Sequence, residues 1–171
     1  ITIPAGSTEA FIYSDEEIEA VVKVLEEQGE KTGRYPYIIC DEPYRAITYG
    51  KKVASVFPKY PYAVVVTSFA KNLSLPGERI GYVLVNSDCI NAKEVYYSIC
   101  GAGRSLGFVC APALFQHMIP SCLGYTSDLE TYKKNRDILC DAMSEYGYKV
   151  AQPEGAFYLF VKALESDSHE F

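Results

Sequence analysis

Ser14-Asp15-Glu16-Glu17 has the form of a capping box, and Ile18, Val21, Val22 and Leu25 follow it at helical spacing. The pattern predicts a helix that stops near Gly29. Tyr37-Ile38-Ile39-Cys40 is different: a short unbroken apolar run, as expected of a strand buried on both faces. Ala63-Val64-Val65-Val66-Thr67 repeats it with more β-branching, and residues 80–85 make a third strand candidate. Helix, strand, connection and strand in that order predict an α/β sheet with its helices outside.

The second half reads as mainly helical, over residues 88–101 and again over 110–121. Ser127-Asp128-Leu129-Glu130 is a further capping box, opening a helix with a stripe through Leu129, Tyr132, Leu139, Met143 and Tyr146 and a stop at Gly147. Short strands are expected at residues 148–151 and 156–161, around a Gln152-Pro153-Glu154-Gly155 turn. The region of Tyr125 and Thr126 is the expected domain boundary, with domains at 1–125 and 126–171.

Composition narrows the class. A chain of 171 residues with 49% hydrophobic and 22% charged positions is globular rather than disordered. A net charge of −6 argues against a nucleic-acid surface. No apolar run approaches the roughly 20 residues of a membrane span. Ile1-Thr2-Ile3-Pro4 has no signal-peptide character and no initiator Met, so we expect a chain cut from something longer. Cys40, Cys89, Cys100, Cys110, Cys122 and Cys140 stand singly, which points to buried reduced thiols and a cytoplasmic protein. With His117 and His169 the only histidines, no metal site is expected.

Asp41 and Ser68 each stand just past the carboxyl end of a predicted strand, the edge where open α/β sheets bind ligands. After Ser68 come Lys71 and, beyond Pro76-Gly77, Arg79. Pyridoxal phosphate needs an amine for its aldehyde, an anion by its ring nitrogen, a donor to its phenolic oxygen, and cations or hydroxyls for its phosphate. Lys71, Asp41, Tyr44, and the pair Ser68 and Arg79 meet these demands in turn. Taken singly, each has a plainer reading. Asp41 to Tyr44 could be a turn, Lys71 a solvated charge, Ser68 a helix cap, and Arg79 a surface ion-pair partner. Their order and their places at strand edges favour the joint reading.

In these motifs the chain resembles the fold-type I aminotransferases of the class I/II family, the aspartate, alanine and aromatic amino acid group. That family carries Ser-x-x-Lys followed by Pro-Gly-x-Arg-x-Gly-Tyr, matched from Ser68 to Tyr82, and Asp-x-x-Tyr, matched by Asp41 and Tyr44. Tyr132-Lys133-Lys134-Asn135-Arg136-Asp137 resembles the long helix leading into the family's small domain, and Pro153-Glu154-Gly155-Ala156-Phe157-Tyr158 a turn and strand within it. The resemblance implies an α/β fold: part of a three-layer α/β/α large domain with a central mixed sheet, plus the start of a small α+β domain. It implies pyridoxal 5'-phosphate as cofactor, amino acid and 2-oxo acid substrates, and a homodimer. Tyr96, Tyr97 and Phe108 could serve the dimer interface, with core packing as the plainer role.

The chain also departs from that pattern. Ser7-Thr8-Glu9-Ala10 stands where the family has Asn-Pro-x-Gly, and the family's substrate-carboxylate arginine lies beyond Phe171. Family members are much longer, so we expect a fragment without transaminase activity by itself and with weak cofactor affinity. A β-lyase or decarboxylase on the same fold, or an aminotransferase-like effector module of a transcription regulator, remains an alternative.

Overall fold

The computed structural model describes residues 2–4 and 11–168. Its main sheet is mixed and runs in the spatial order β1 (Thr2–Pro4), β2 (Ile38–Asp41), β3 (Ala63–Ser68) and β4 (Gly81–Val85). The first three strands are parallel, and β4 returns antiparallel to β3. β1 was not expected from the pattern, because three residues ending in proline are too short to show a period.

Helix α1 (Asp15–Thr32) opens with the expected capping box: Glu17 N–H donates to Ser14 Oγ at 3.2 Å, and Ser14 N–H to the Glu17 carboxylate at 2.8 Å. It does not stop at Gly29. A Cβ there would lie 2.2 Å from the Tyr35 ring, so Gly29 makes room for that ring. The reversal comes at Gly33, in the left-handed region at φ 69°, with its N–H donating to Gly29 O at 2.8 Å.

α1 seals one face of the sheet. Ile18, Val22 and Leu25 pack there with Ile38, Cys40, Ala63 and Tyr60. After β3 comes a single turn, α2 (Phe69–Asn72), and after β4 a longer helix, α3 (Ala92–Ser105). On the second face Val95 and Ile99 of α3 stand opposite Ile39, Val64, Val66 and Val83 around an apolar cavity of about 290 Å³. Helices on both sides of a mixed sheet give the three-layer arrangement. The cavity also corrects the strand reading, because β2 alternates: Ile38 and Cys40 are buried, whereas Ile39 is 40% exposed.

Later elements shift for local reasons. α3 starts four residues after Asp88, because Asn86 ties down the approach. Its amide donates to Phe57 O and Tyr60 O, and its oxygen accepts from Asp88 N–H at 3.1 Å. α3 runs past Gly101 and reverses at Gly107. α4 (Ala113–Cys122) begins behind Pro112. α5 (Leu129–Glu145) is capped by Asp128, whose carboxylate accepts from Thr131 N–H at 3.0 Å. Ser127, the expected cap, instead donates its N–H to Asn72 O at 2.6 Å.

The buried side of α5 is also rotated from the expected stripe. Leu139 and Tyr146 are exposed, Cys140 is buried, and Arg136 turns inward. β5 (Lys149–Ala151) and β6 (Phe160–Lys162) form a separate antiparallel pair. Residues 156–159 are not strand, because Ala156, at φ 56°, donates its N–H to Ile47 O and folds the segment onto the large sheet's side. Cys40, Cys89 and Cys140 are buried free thiols. Cys100 and Cys110, expected to be buried, are exposed, on α3, which buries no residue, and ahead of α4. No helix among the described residues is long and apolar enough to cross a membrane.

Candidate active site

Lys71 is delivered by the end of β3. Ser68 ends the strand and caps α2, its Oγ accepting from Ala70 N–H at 3.0 Å. Phe69 then anchors the turn: its ring is buried with Ile80 and Ile119, and its N–H donates to Ile80 O at 3.1 Å. Between these fixed points the Lys71 amine stands over two aromatic faces, 5.7 Å from the Tyr44 ring centre and 5.3 Å from that of Phe157. Among the described residues it has no hydrogen bond or ion pair.

Asp41 ends β2 opposite Val66, so strand alternation puts it on the same face as Ser68 two residues further along β3. Its exposed carboxylate likewise has no hydrogen bond or ion pair among the described residues. Tyr44 is 8% exposed, and its hydroxyl lies 2.6 Å from that of Tyr158. Burial, with the nearby Asp41 charge, holds the Tyr44 phenol well above the usual tyrosine range. Glu42, unassigned from sequence, has a structural place. Burial pushes its carboxyl up, and Arg45 at 2.9 Å, itself bonded to Val53 O and Ala54 O, counters that.

Arg79 is the outlier of the set. The β3–β4 ladder pairs Ser68 with Gly81, which brings the arginine near the strand end. However, its guanidinium turns back to donate to Pro76 O at 2.9 Å, and it lines a separate open cavity of about 560 Å³ with Thr67, Tyr82 and α3. Asp41, Tyr44, Ser68 and Lys71 are thus gathered at one edge, and Arg79 borders it. Ser74, Arg79 and Ala156 are non-glycine residues at positive φ, and all three flank this edge. Strained backbone of that kind marks segments that the surrounding structure holds in place.

Three residues here carried no assignment from sequence. Phe157 faces Lys71, Tyr158 meets Tyr44, and Arg136 donates to Pro153 O at 3.0 Å with its guanidinium 4.5 Å over the Tyr49 ring. Tyr132, Arg136 and Cys140 at i, i+4 and i+8 would have shown the inward face of α5. Tyr96, Tyr97 and Phe108 are exposed rather than in a core, and His117 is exposed on α4. Ser7 to Ala10 and His169 lie outside the described residues.

An unpaired amine, an unpaired carboxylate, a buried phenol and a hydroxyl with a proton left to donate fit pyridoxal phosphate in kind. The comparisons agree. Residues 7–171 match the family model for aminotransferase class I and II. An aspartate aminotransferase of Thermotoga maritima is 25% identical over 91% of this chain and 39% of its own length. A (5-formylfuran-3-yl)methyl phosphate transaminase of Methanocaldococcus jannaschii is 28% identical over 80% of this chain and 37% of its own. The crystal structure of an amino transferase from Eubacterium rectale superposes with a TM-score of 0.95 at 48% identity, covering 99% of this chain and 43% of that one. The chain thus spans about two fifths of the relatives it matches. With its motifs, its fold and this match in agreement, the chain belongs to the class I and II aminotransferases, a pyridoxal-phosphate-dependent family.

Proposed function

We propose that this chain supplies the cofactor-lysine part of an aminotransferase, aspartate aminotransferase-like, that moves an amino group between an amino acid and a 2-oxo acid in the cytoplasm, as a homodimer. Residues 1–125 belong to its large domain and 126–171 to the interdomain helix and small domain, and the separate β5–β6 pair supports that division. The observation that carries the reading is the Lys71 amine, unpaired among the described residues and standing over Tyr44 and Phe157, at the sheet edge where Asp41 ends its strand.

When bound, pyridoxal phosphate supplies an electron sink for a carbanion at the substrate Cα. The chain's own groups do the rest. Lys71 Nζ would hold the aldehyde and, once released, would carry a proton from the substrate Cα to the cofactor carbon that bore the aldehyde. Asp41 keeps a negative charge beside a protonated ring nitrogen. Tyr44 donates its O–H to the phenolic oxygen. The Ser68 hydroxyl and Arg79, turned away from Pro76 O, bind the phosphate. Activity is expected of the longer polypeptide that such relatives have, and this chain alone is expected to be inactive with weak cofactor affinity.

Absorbance spectra with added pyridoxal phosphate, before and after borohydride, test the reading beside Lys71→Ala. The expected result is a visible band in the wild type that reduction fixes as a mass gain on Lys71, absent from the variant. Identical behaviour of the two proteins sinks the assignment.

A further inference from the structure

The Tyr44 hydroxyl has one partner among the described residues, the hydroxyl of Tyr158 at 2.6 Å. A hydroxyl carries one proton and two lone pairs. If Tyr44 donates to Tyr158, its proton is engaged there. If Tyr158 donates, the Tyr44 proton is left for a third group. We infer that Tyr158 is a positioning residue that donates to the Tyr44 oxygen and so aims the Tyr44 proton at the phenolic oxygen of pyridoxal phosphate. The inference rests on the cofactor assignment above.

The surroundings suit such a role. The Tyr158 ring meets the Tyr44 ring edgewise at 5.6 Å and 79°, and Phe157 meets Tyr44 in the same manner at 5.3 Å and 80°. The segment that presents them is fixed two residues earlier. Ala156 is fully buried, stands at φ 56°, and donates its N–H to Ile47 O at 2.9 Å. A backbone held in a costly conformation at this turn fixes the place from which the Tyr158 hydroxyl reaches Tyr44. In a chain of two hydroxyls, the first donation polarises the second O–H and strengthens it.

The test is a pH titration of the visible band of the protein loaded with pyridoxal phosphate, for wild type, Tyr44→Phe, Tyr158→Phe and the double variant. A hydrogen bond donated to an oxygen in its anionic form favours the deprotonated state and lowers the titration midpoint. Tyr44→Phe should therefore raise it, by about one pH unit. Tyr158→Phe, which keeps the ring, should raise it by a few tenths of a unit through weaker donation from Tyr44. The double variant should match Tyr44→Phe alone, because Tyr158 acts through Tyr44. A purely packing role would move the melting temperature of the cofactor-free protein and leave the midpoint in place. An unchanged midpoint in Tyr158→Phe, or a shift that persists when Tyr44 is already Phe, overturns the inference while the cofactor site stands. Absence of any visible band in the wild type overturns both.

Discussion

In the turn at residues 153–158 the polar groups are engaged one after another. Pro153 O accepts from Arg136, Glu154 O from Tyr49 N–H, and the Glu154 carboxylate from Ile12 N–H and Lys51. Ala156 bonds Ile47 through its N–H and Tyr49 through its O. Across the gap, at the ends of β2 and β3, Asp41 and Lys71 have no such partner among the described residues. The turn thus engages its main-chain groups and its one carboxylate inside the fold, whereas the ionisable side chains at the nearby strand ends stay outside that network. Where capacity is satisfied internally the group holds the fold, and where it is left over in a rigid setting the group is available for a ligand.

Mutations on the two sides should separate accordingly. Ile47 is fully buried beneath Tyr44 and Ala156, and Ile47→Ala should cost about 2–5 kcal/mol in urea unfolding. A loss below about 1 kcal/mol would show that the turn is not docked on this residue. Glu154→Gln is a milder probe of the same side. Burial raises its carboxyl, but Lys51 and the Ile12 N–H prevail and hold it below the usual glutamate range. A lowered folded-state value means stability present above the unfolded value and lost as pH falls through the folded one. The wild type should therefore lead Glu154→Gln by roughly 1 kcal/mol at neutral pH, and the lead should close below about pH 4. A gap independent of pH would remove the charge from the explanation.

On the free side the expectation reverses. Lys71→Met keeps the aliphatic stem and loses only the ammonium over two rings, so its stability should stay within about 1 kcal/mol of wild type. A large destabilisation would make Lys71 a structural residue and erase the contrast.

Much of the free side was legible in the sequence, because Asp41 and Ser68 follow apolar runs whose ends can be located and Lys71 and Arg79 follow at fixed offsets. The direction of Arg79 was not, since a bond to its own turn at Pro76 O depends on a left-handed φ that sequence does not announce. The engaged side was mostly hidden. Tyr44 and Tyr158 are 114 positions apart, and no periodicity links them. Residues 156–159 have strand composition but bend onto Ile47, a choice made by tertiary contact. The apolar run of β2 suggested burial on both faces, and Ile39 shows that composition does not reveal how much of a face its neighbours cover.

The bond from Ser127 N–H to Asn72 O joins the start of α5 to the residue after Lys71 through main-chain atoms alone. Side-chain replacement at either position leaves both atoms in place, with one exception. Proline at 127 lacks the hydrogen. Drift in sequence can therefore remodel both helices freely while the tether between them persists, and a tilt of α5 about its first turn would be felt as a tug on the loop that carries the amine.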